Sequence, residues 1–459
     1  MTNPRRNGIL LLALVACLAA QQPEQNQPLR TFPAHWTVEE SRPVLPVFDA
    51  ALTVARGRMA ILGGFTARLE TTQVIQIRDN AAGWLPIGSQ MIEPRARHTA
   101  TPLGDGRVLI VGGVQGTIGG KLHALASCEV LDPFSAGSIA IDPIDEPLVG
   151  HTAHRLPNGM IAVIGGEALR LFDPATMKWI ARVELEKRRM NHASLFVEGG
   201  DILIIGGDDS GSIERIDLPD SFSEPRELHD ANDPPPSEGG GLGVGRRPES
   251  QEHETHPSPL PEREGKPGPP PIDQTLLDSI TTAIVATLPE PLWQCAAIMI
   301  PDGRIWIVCG LNRENISVRD TWYIHGSTHD LMPGPALPVE GGVAGAGAFR
   351  AGDNAIIVGG ETYSGSNRSP CTSAFMYESK TKRLWRLPDV PAIPAAPGAT
   401  AGTSSRRLWF LNESGKIAAE GGYRFVSPEE AAATGDKAGV HLAGERITLT
   451  IGKLPTLRD

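Results

Sequence analysis

Aromatic side chains make up only 5% of this 459-residue chain, with four Tyr in all, and there are only five Cys. So few Cys exclude a fold held together by a disulfide framework. No basic stripe interleaved with aromatics occurs, and the formal charge is −11. Neutralising phosphates needs clustered Lys and Arg, so nucleic acid is excluded as a partner. No apolar run is long enough to span a bilayer. The chain also lacks a Ser-His-Asp elbow and a phosphate-cradling Gly loop. What it has in plenty is 51 Gly and 40 Pro. That many turn-formers between short apolar runs predict an all-β chain.

The first residues stand apart. Arg5 and Arg6 precede an apolar run from Ile9 to Ala16, which is suited to the core of a signal peptide. It ends in Leu14-Val15-Ala16-Cys17, which resembles the bacterial lipoprotein signal. The resemblance implies a signal peptide over 1–17, acylation of Cys17 and, with Leu18 following, an outer-membrane or surface location. A plain secretory signal cut near Ala19 or Ala20 is the alternative, giving a periplasmic or secreted protein. Residues 18–30, rich in Gln and Pro, read as a tether to the body of the protein, 31–459.

That body repeats itself. Apolar runs end in a Gly pair at Gly63-Gly64, Gly112-Gly113, Gly165-Gly166, Gly206-Gly207 and Gly359-Gly360. Ile305–Val308 before Cys309-Gly310 and Leu408–Leu411 before Asn412-Glu413 are weaker copies. Fourteen residues before the first Gly of each strong pair, or its counterpart in the weaker copies, stand Asp49, His98, His151, His192, Cys295, Gly345 and Gly398. Turn sequences such as Gly104-Asp105-Gly106 and Pro157-Asn158-Gly159 fall between marker and pair, where tight hairpins need positive φ. A third strand follows, often leading to a Trp, as in Leu171-Phe172-Asp173 to Trp179. Four strands at a recurring interval predict the blade of a β-propeller.

These features resemble the Kelch-repeat family, whose blades carry an Arg or His ahead of strand one, a double Gly ending strand two and an aromatic-to-Trp interval. The likeness runs over about residues 45–425. It implies a Kelch-type propeller of seven blades, with six as the alternative. Either 31–43, with Trp36, or Ile447–Ile451 is expected to close the ring as an outer strand. Between His192 and Cys295 the spacing doubles, and residues 221–274 contain almost no large apolar groups. Such a stretch cannot offset its ordering entropy, which predicts a disordered insertion between strands three and four of blade four.

By the same resemblance, the markers and the loops after each Gly pair are where a partner binds. The candidates are Asp49, His98, His151 and His192, with Arg95 and Arg189 three residues before two markers. From the loops come Glu167, Asp208, Asp209, Arg313, Glu361 and Arg368. This implies a monomeric binding or scaffold module for a protein or carbohydrate partner, without cofactor or metal. A carbohydrate-active epimerase or mutarotase is the alternative. Galactose oxidase chemistry, which also uses a Kelch propeller, needs two Tyr and two His around copper. None of the four Tyr stands in register with a His marker. Cys295 and Cys309 face each other across one hairpin, where two buried thiols are favoured over a disulfide.

Overall fold

The computed structural model describes residues 29–451, apart from 40–43, 80–82, 134–136, 198, 225–273, 392, 395–400, 403–407, 412–415, 421–422, 427–431, 433–438 and 443–445. Seven small antiparallel sheets make seven blades of a propeller. Their innermost strands are Ala51–Ala55, Thr99–Pro102, Thr152–Arg155, Ala193–Phe196, Ala296–Met299, Gly347–Ala351 and Leu408–Leu411. The signal peptide, its Cys17 and most of the tether lie outside the described residues.

The apolar runs before the Gly pairs are the second strands, and they read as continuous because both of their faces are buried. In Val108–Val111, Val108 and Ile110 pack on blade one, while Leu109 and Val111 pack on blade three. Period-two alternation thus feeds two cores from one strand. One such core sits at each junction. The ring is complete, because Ala418 of blade seven packs with Met59 and Ile61 of blade one.

Blade seven is closed by both ends of the chain. Ala34–Glu39 is its outermost strand and pairs antiparallel with Arg446–Ile451, the third strand, with Trp36 opposite Leu449. The two segments expected to compete for closure therefore act together. Leu408–Leu411 is the innermost strand and not the second. The second strand is Ile417–Glu420, directly before Gly421-Gly422. Blade three contracts the repeat. A single element, Ile161–Asp173, pairs with the first strand through Ile161–Ile164 and with the last through Gly166–Asp173.

The insertion is shorter than 221–274. Phe222 is buried in the core between blades three and four, and Leu277, in the short helix Gln274–Asp278, joins it there. These two apolar side chains anchor the edges of the segment, and 225–273 lies outside the described residues.

Candidate functional site

Every second strand ends, and every first strand begins, on the same face, so this face carries the Gly pairs, the loops after them and the crossings between blades. Its centre is a ring of residues with positive φ. They are Asp49 (52°), Arg97 (56°), Gly150 (66°), Asn191 (54°), Gln294 (54°) and Gly345 (62°). Four backbone hydrogen bonds join neighbouring members. Arg97 N–H donates to Asp49 O at 2.8 Å, Asn191 to Gly150 at 2.8 Å, Gln294 to Asn191 at 2.7 Å and Gly345 to Gln294 at 2.9 Å.

This ring shifts two markers by one residue. His98, His151, His192 and Cys295 immediately follow ring members, whereas Asp49 and Gly345 are themselves ring members. The counterparts of the histidines in blades one and six are Ala50 and Ala346. The cause is hairpin length. Ala51 pairs with Leu62, eleven residues on, while Thr99 pairs with Val111, twelve on. Blade one uses a two-residue turn, Arg56-Gly57, with both φ positive, and so is one residue shorter.

The three histidines are buried against the neighbouring inner strand. His151 Nε2 hydrogen-bonds Thr99 Oγ1, and His192 Nε2 hydrogen-bonds Thr152 Oγ1, each at 2.9 Å. Burial lowers the pKa of His151 to about 4 and that of His192 to about 3, with Arg189 adding to the latter. His98 is lowered for the same reason. All three are neutral imidazoles at pH 7. His154, further down the channel wall, is also held neutral by burial, at about 4. Its Nε2 hydrogen-bonds Ser194 Oγ at 2.6 Å, and Ser194 donates to Thr152 at 2.6 Å.

The guanidiniums of Arg95 and Arg189 are buried beneath this face, although Arg189 also borders the cavity described below. Arg95 Nη1 donates to Gly112 O at 2.8 Å and to Ser127 O at 3.1 Å, and Nη2 pairs with buried Glu129 at 3.0 Å. Arg189 repeats this with Gly206 O, Ser212 O and Glu214. Both guanidiniums clamp the carbonyl of a Gly pair to the third strand of the same blade. Blade three reverses the charges. Arg170, on the third strand, bonds Gly165 O and takes Asp145 and Glu146 from the crossing before it. Glu129, Arg170 and Glu214 each stand three residues before an Asp that ends the strand. That spacing is the signal by which these junctions could have been found in the sequence.

The loop candidates divide. Asp208 is buried, accepts from the N–H of Ser210 at 3.1 Å and pairs with Arg189 at 3.2 Å, so it organises its loop. Glu361 is buried and accepts from Tyr363 O–H at 2.6 Å. Glu167 is exposed and meets Arg188 at 3.3 Å. Arg313 reaches across to the carbonyl of Asp209. Arg368 is exposed on the hairpin of blade six. Asp49 is in the mouth, paired with Arg97 at 2.8 Å, and that guanidinium lies over Phe65, 5.6 Å from its centroid.

The mouth has walls and a gap. After their Gly pairs, blades two and six raise hairpins (Val114–Gly116 with Leu122–Ala124, Glu361–Ser364 with Asn367–Pro370). Blades three and four have only short loops there. Over them opens a cavity of about 400 Å3, lined among others by Leu148, Val149, Arg188, Met190, Asp209 and Trp293. Met190 is 51% exposed, and Trp293 is half-buried. Neither Trp293, Arg188 nor Met190 was singled out from sequence, because none keeps a repeated position with a shared residue type.

Tyr323, Tyr363 and Tyr377 do not gather here with the histidines. Tyr323 and Tyr377 stack around Trp306 between blades five and six, and Tyr363 belongs to the blade-six hairpin. Among the described residues no group of three His, Cys, Asp or Glu is placed to hold a metal. Cys128, Cys295, Cys309 and Cys371 are buried free thiols, and burial pushes Cys295 up to about 11.

No protein family matches the chain, and no curated protein does. Solved structures do match. A fungal alcohol oxidase of the AA5 family, in complex with copper, aligns with a TM-score of 0.55 at 12% identity, over 92% of this chain and 77% of the oxidase. A structure of YjhT aligns at 0.47 with 13% identity, over 75% of this chain and 98% of its own. At such identities the oxidase supports the propeller fold alone.

Proposed function

We propose that the chain is an exported, lipid-anchored Kelch-type propeller that binds a carbohydrate or protein partner in the mouth of its channel, with a saccharide favoured. The observation that carries this reading is the cavity over blades three and four. There the half-buried ring of Trp293 stands with Met190 beside Arg188 and Asp209. A concave site with an apolar wall and a few convergent polar groups suits a sugar, whose faces are apolar and whose rim is hydroxylated. About 400 Å3 admits one or two sugar rings and no folded partner, while the hairpins of blades two and six leave the approach over blades three and four open. A glycan-array screen followed by calorimetry tests it. Saccharide binding by the intact protein that Trp293→Ala weakens supports the reading. Binding that Trp293→Ala leaves unchanged moves the site elsewhere.

The enzymatic reading, an epimerase or mutarotase, draws on one observation. Neutral His154, hydrogen-bonded to Ser194, has the protonation state that a general base needs at pH 7. Loss of sugar-anomer exchange in His154→Ala, with saccharide binding retained, supports it. Absence of exchange in the unmodified protein removes it.

A further inference from the structure

Two parts of the mouth are built on one frame. Above blades one and two, antiparallel bridges join Phe48 to Phe65, Phe65 to Thr71, Glu70 to Thr117 and Ala96 to Val114. Above blades five and six, the same set joins Trp293 to Leu311, Leu311 to Ser317, Ile316 to Ser364 and Ala344 to Glu361. The bond across the ring is repeated too. Arg97 N–H donates to Asp49 O at 2.8 Å, and Gly345 N–H donates to Gln294 O at 2.9 Å. Place for place, Trp293 stands for Phe48, Leu311 for Phe65, Gln294 for Asp49 and Gly345 for Arg97.

The first frame is filled by its own side chains. Phe48 stacks on Phe65, and the Arg97 guanidinium lies over Phe65 and pairs with Asp49 at 2.8 Å. The second frame is left open. Leu311 takes the place of one ring, and Trp293 is only half-buried, with its exposed part at the cavity. A Cβ built on Gly345 would have one neighbour within 4 Å, Gln294 Oε1 at 3.6 Å. The amide of Gln294 thus borders open space, and it has no hydrogen-bond partner among the described residues. Where the first frame has a carboxylate and a guanidinium, the second has a neutral amide and room. Such a place gives a charged ligand group no counter-ion, whereas a hydroxyl finds both donor and acceptor in the one amide.

We propose that Gln294 and Gly345 form a subsite beside Trp293, which takes an uncharged, hydroxyl-bearing sugar unit in the place that Arg97 fills in the first frame. This rests on the saccharide reading and names its substrate class, a neutral oligosaccharide that runs from the cavity past Trp293 towards blades five and six. Gly345 supplies the room and Gln294 the hydrogen bonds.

The test is calorimetry with neutral tetrasaccharides of glucose and of galactose, with tetragalacturonate and the tetramer of glucosamine as charged counterparts. Two variants of the full chain are compared with wild type. Gly345→Arg refills the place as blade two does, at φ 62°, close to the 56° that Arg97 adopts. It is expected to weaken binding of the neutral tetrasaccharide by about ten-fold or more, with Tm lowered by no more than about 4 °C. Gln294→Ala, which keeps the space open, should weaken binding by about three- to ten-fold. If Gly345→Arg does not accumulate, Gln294→Ala decides alone. Binding that depends on Trp293 and ignores both variants overturns this inference and leaves the saccharide reading standing. So does tighter binding of either charged tetramer than of its neutral counterpart. Wild-type protein that binds no saccharide overturns both.

Discussion

Arg189 Nη2 lies 2.8 Å from Glu214 Oε2, and both side chains are wholly buried. The guanidinium spends its remaining donors on the carbonyls of Gly206 and Ser212 and on Asp208. A cation placed in this way is an element of the fold, joining a crossing to the blade it leads into. Removing it strands a carboxylate and two carbonyls in a dry junction. Arg189→Ala is expected to cost about 3–5 kcal/mol. Arg188→Ala, one residue away and exposed, should change stability by about 0.5 kcal/mol or less. Urea unfolding of the two variants measures the contrast. Equal midpoints would mean that the buried pair contributes nothing.

The imidazoles give the protein an acid limit. His151 and His192 titrate at about 4 and 3 when folded, against about 6.5 unfolded. Between these values the unfolded chain binds more protons than the folded one, so stability rises with pH. The contribution is fully present above pH 6.5 and is lost as pH falls towards the folded values. For His151 the loss is on the order of 3 kcal/mol by pH 4. Thermal unfolding from pH 7 to pH 4 should show Tm falling with acid, and His151→Gln should flatten the slope. A slope unchanged by that substitution would place the acid sensitivity elsewhere.

Glycine at the end of a second strand answers to its neighbours. A Cβ on Gly113, where φ is +94°, would stand 2.5 Å from Ala96 O and 2.8 Å from His98 Cβ. Gly57, at φ +74°, has nothing within 4 Å. Gly57→Ala carries only the conformational penalty, about 1 kcal/mol. Gly113→Ala adds the displacement of a crossing and should cost about 2–4 kcal/mol. Differential unfolding of the pair separates close approach from backbone conformation.

How much of this was legible depends on what the repeat encodes. The Gly pairs and the spacing to His98, His151 and His192 are local consequences of one hairpin, so blades two to five can be read directly. A hairpin one residue shorter displaced the reading in blades one and six, to Asp49 and Gly345. Blade seven carried its own signal in Ile417-Ala418-Ala419-Glu420-Gly421-Gly422, with Arg407 fourteen residues before the pair. That signal was masked by the stronger apolar run of Leu408–Leu411. The pairing of Trp36 with Leu449 was beyond reach, because alternation identifies a strand but not a partner some four hundred residues away. The candidate site divided in the same way. Arg95, Arg189, Asp208 and Glu361 are charged residues in register that hold their own blades together, and Arg189 and Asp208 also border the cavity, whereas Trp293 and Met190 lie where the repeat leaves residue choice free.

Membrane attachment has a test that is independent of the ring. Acylation at Cys17 predicts that expression with labelled palmitate marks the protein and that Cys17→Ser both removes the label and releases the chain to the soluble fraction. Soluble wild-type protein without label would leave the plain secretory signal.

Binding and catalysis at this channel call on different residues. Trp293 and Arg188 line the cavity over blades three and four, while His154 sits below on the channel wall with Ser194. If the protein is a receptor, Trp293→Ala should weaken saccharide binding by about thirty-fold, the loss of one aromatic anchor, while His154→Ala leaves the affinity as it was. If it is an enzyme, His154→Ala should lower kcat at constant KM, and Trp293→Ala should raise KM. Calorimetry and anomer-exchange kinetics on the same two variants therefore decide between the readings. The outcome that would remove both is a saccharide affinity and an exchange rate indifferent to either residue, since neither wall of the channel would then touch the ligand.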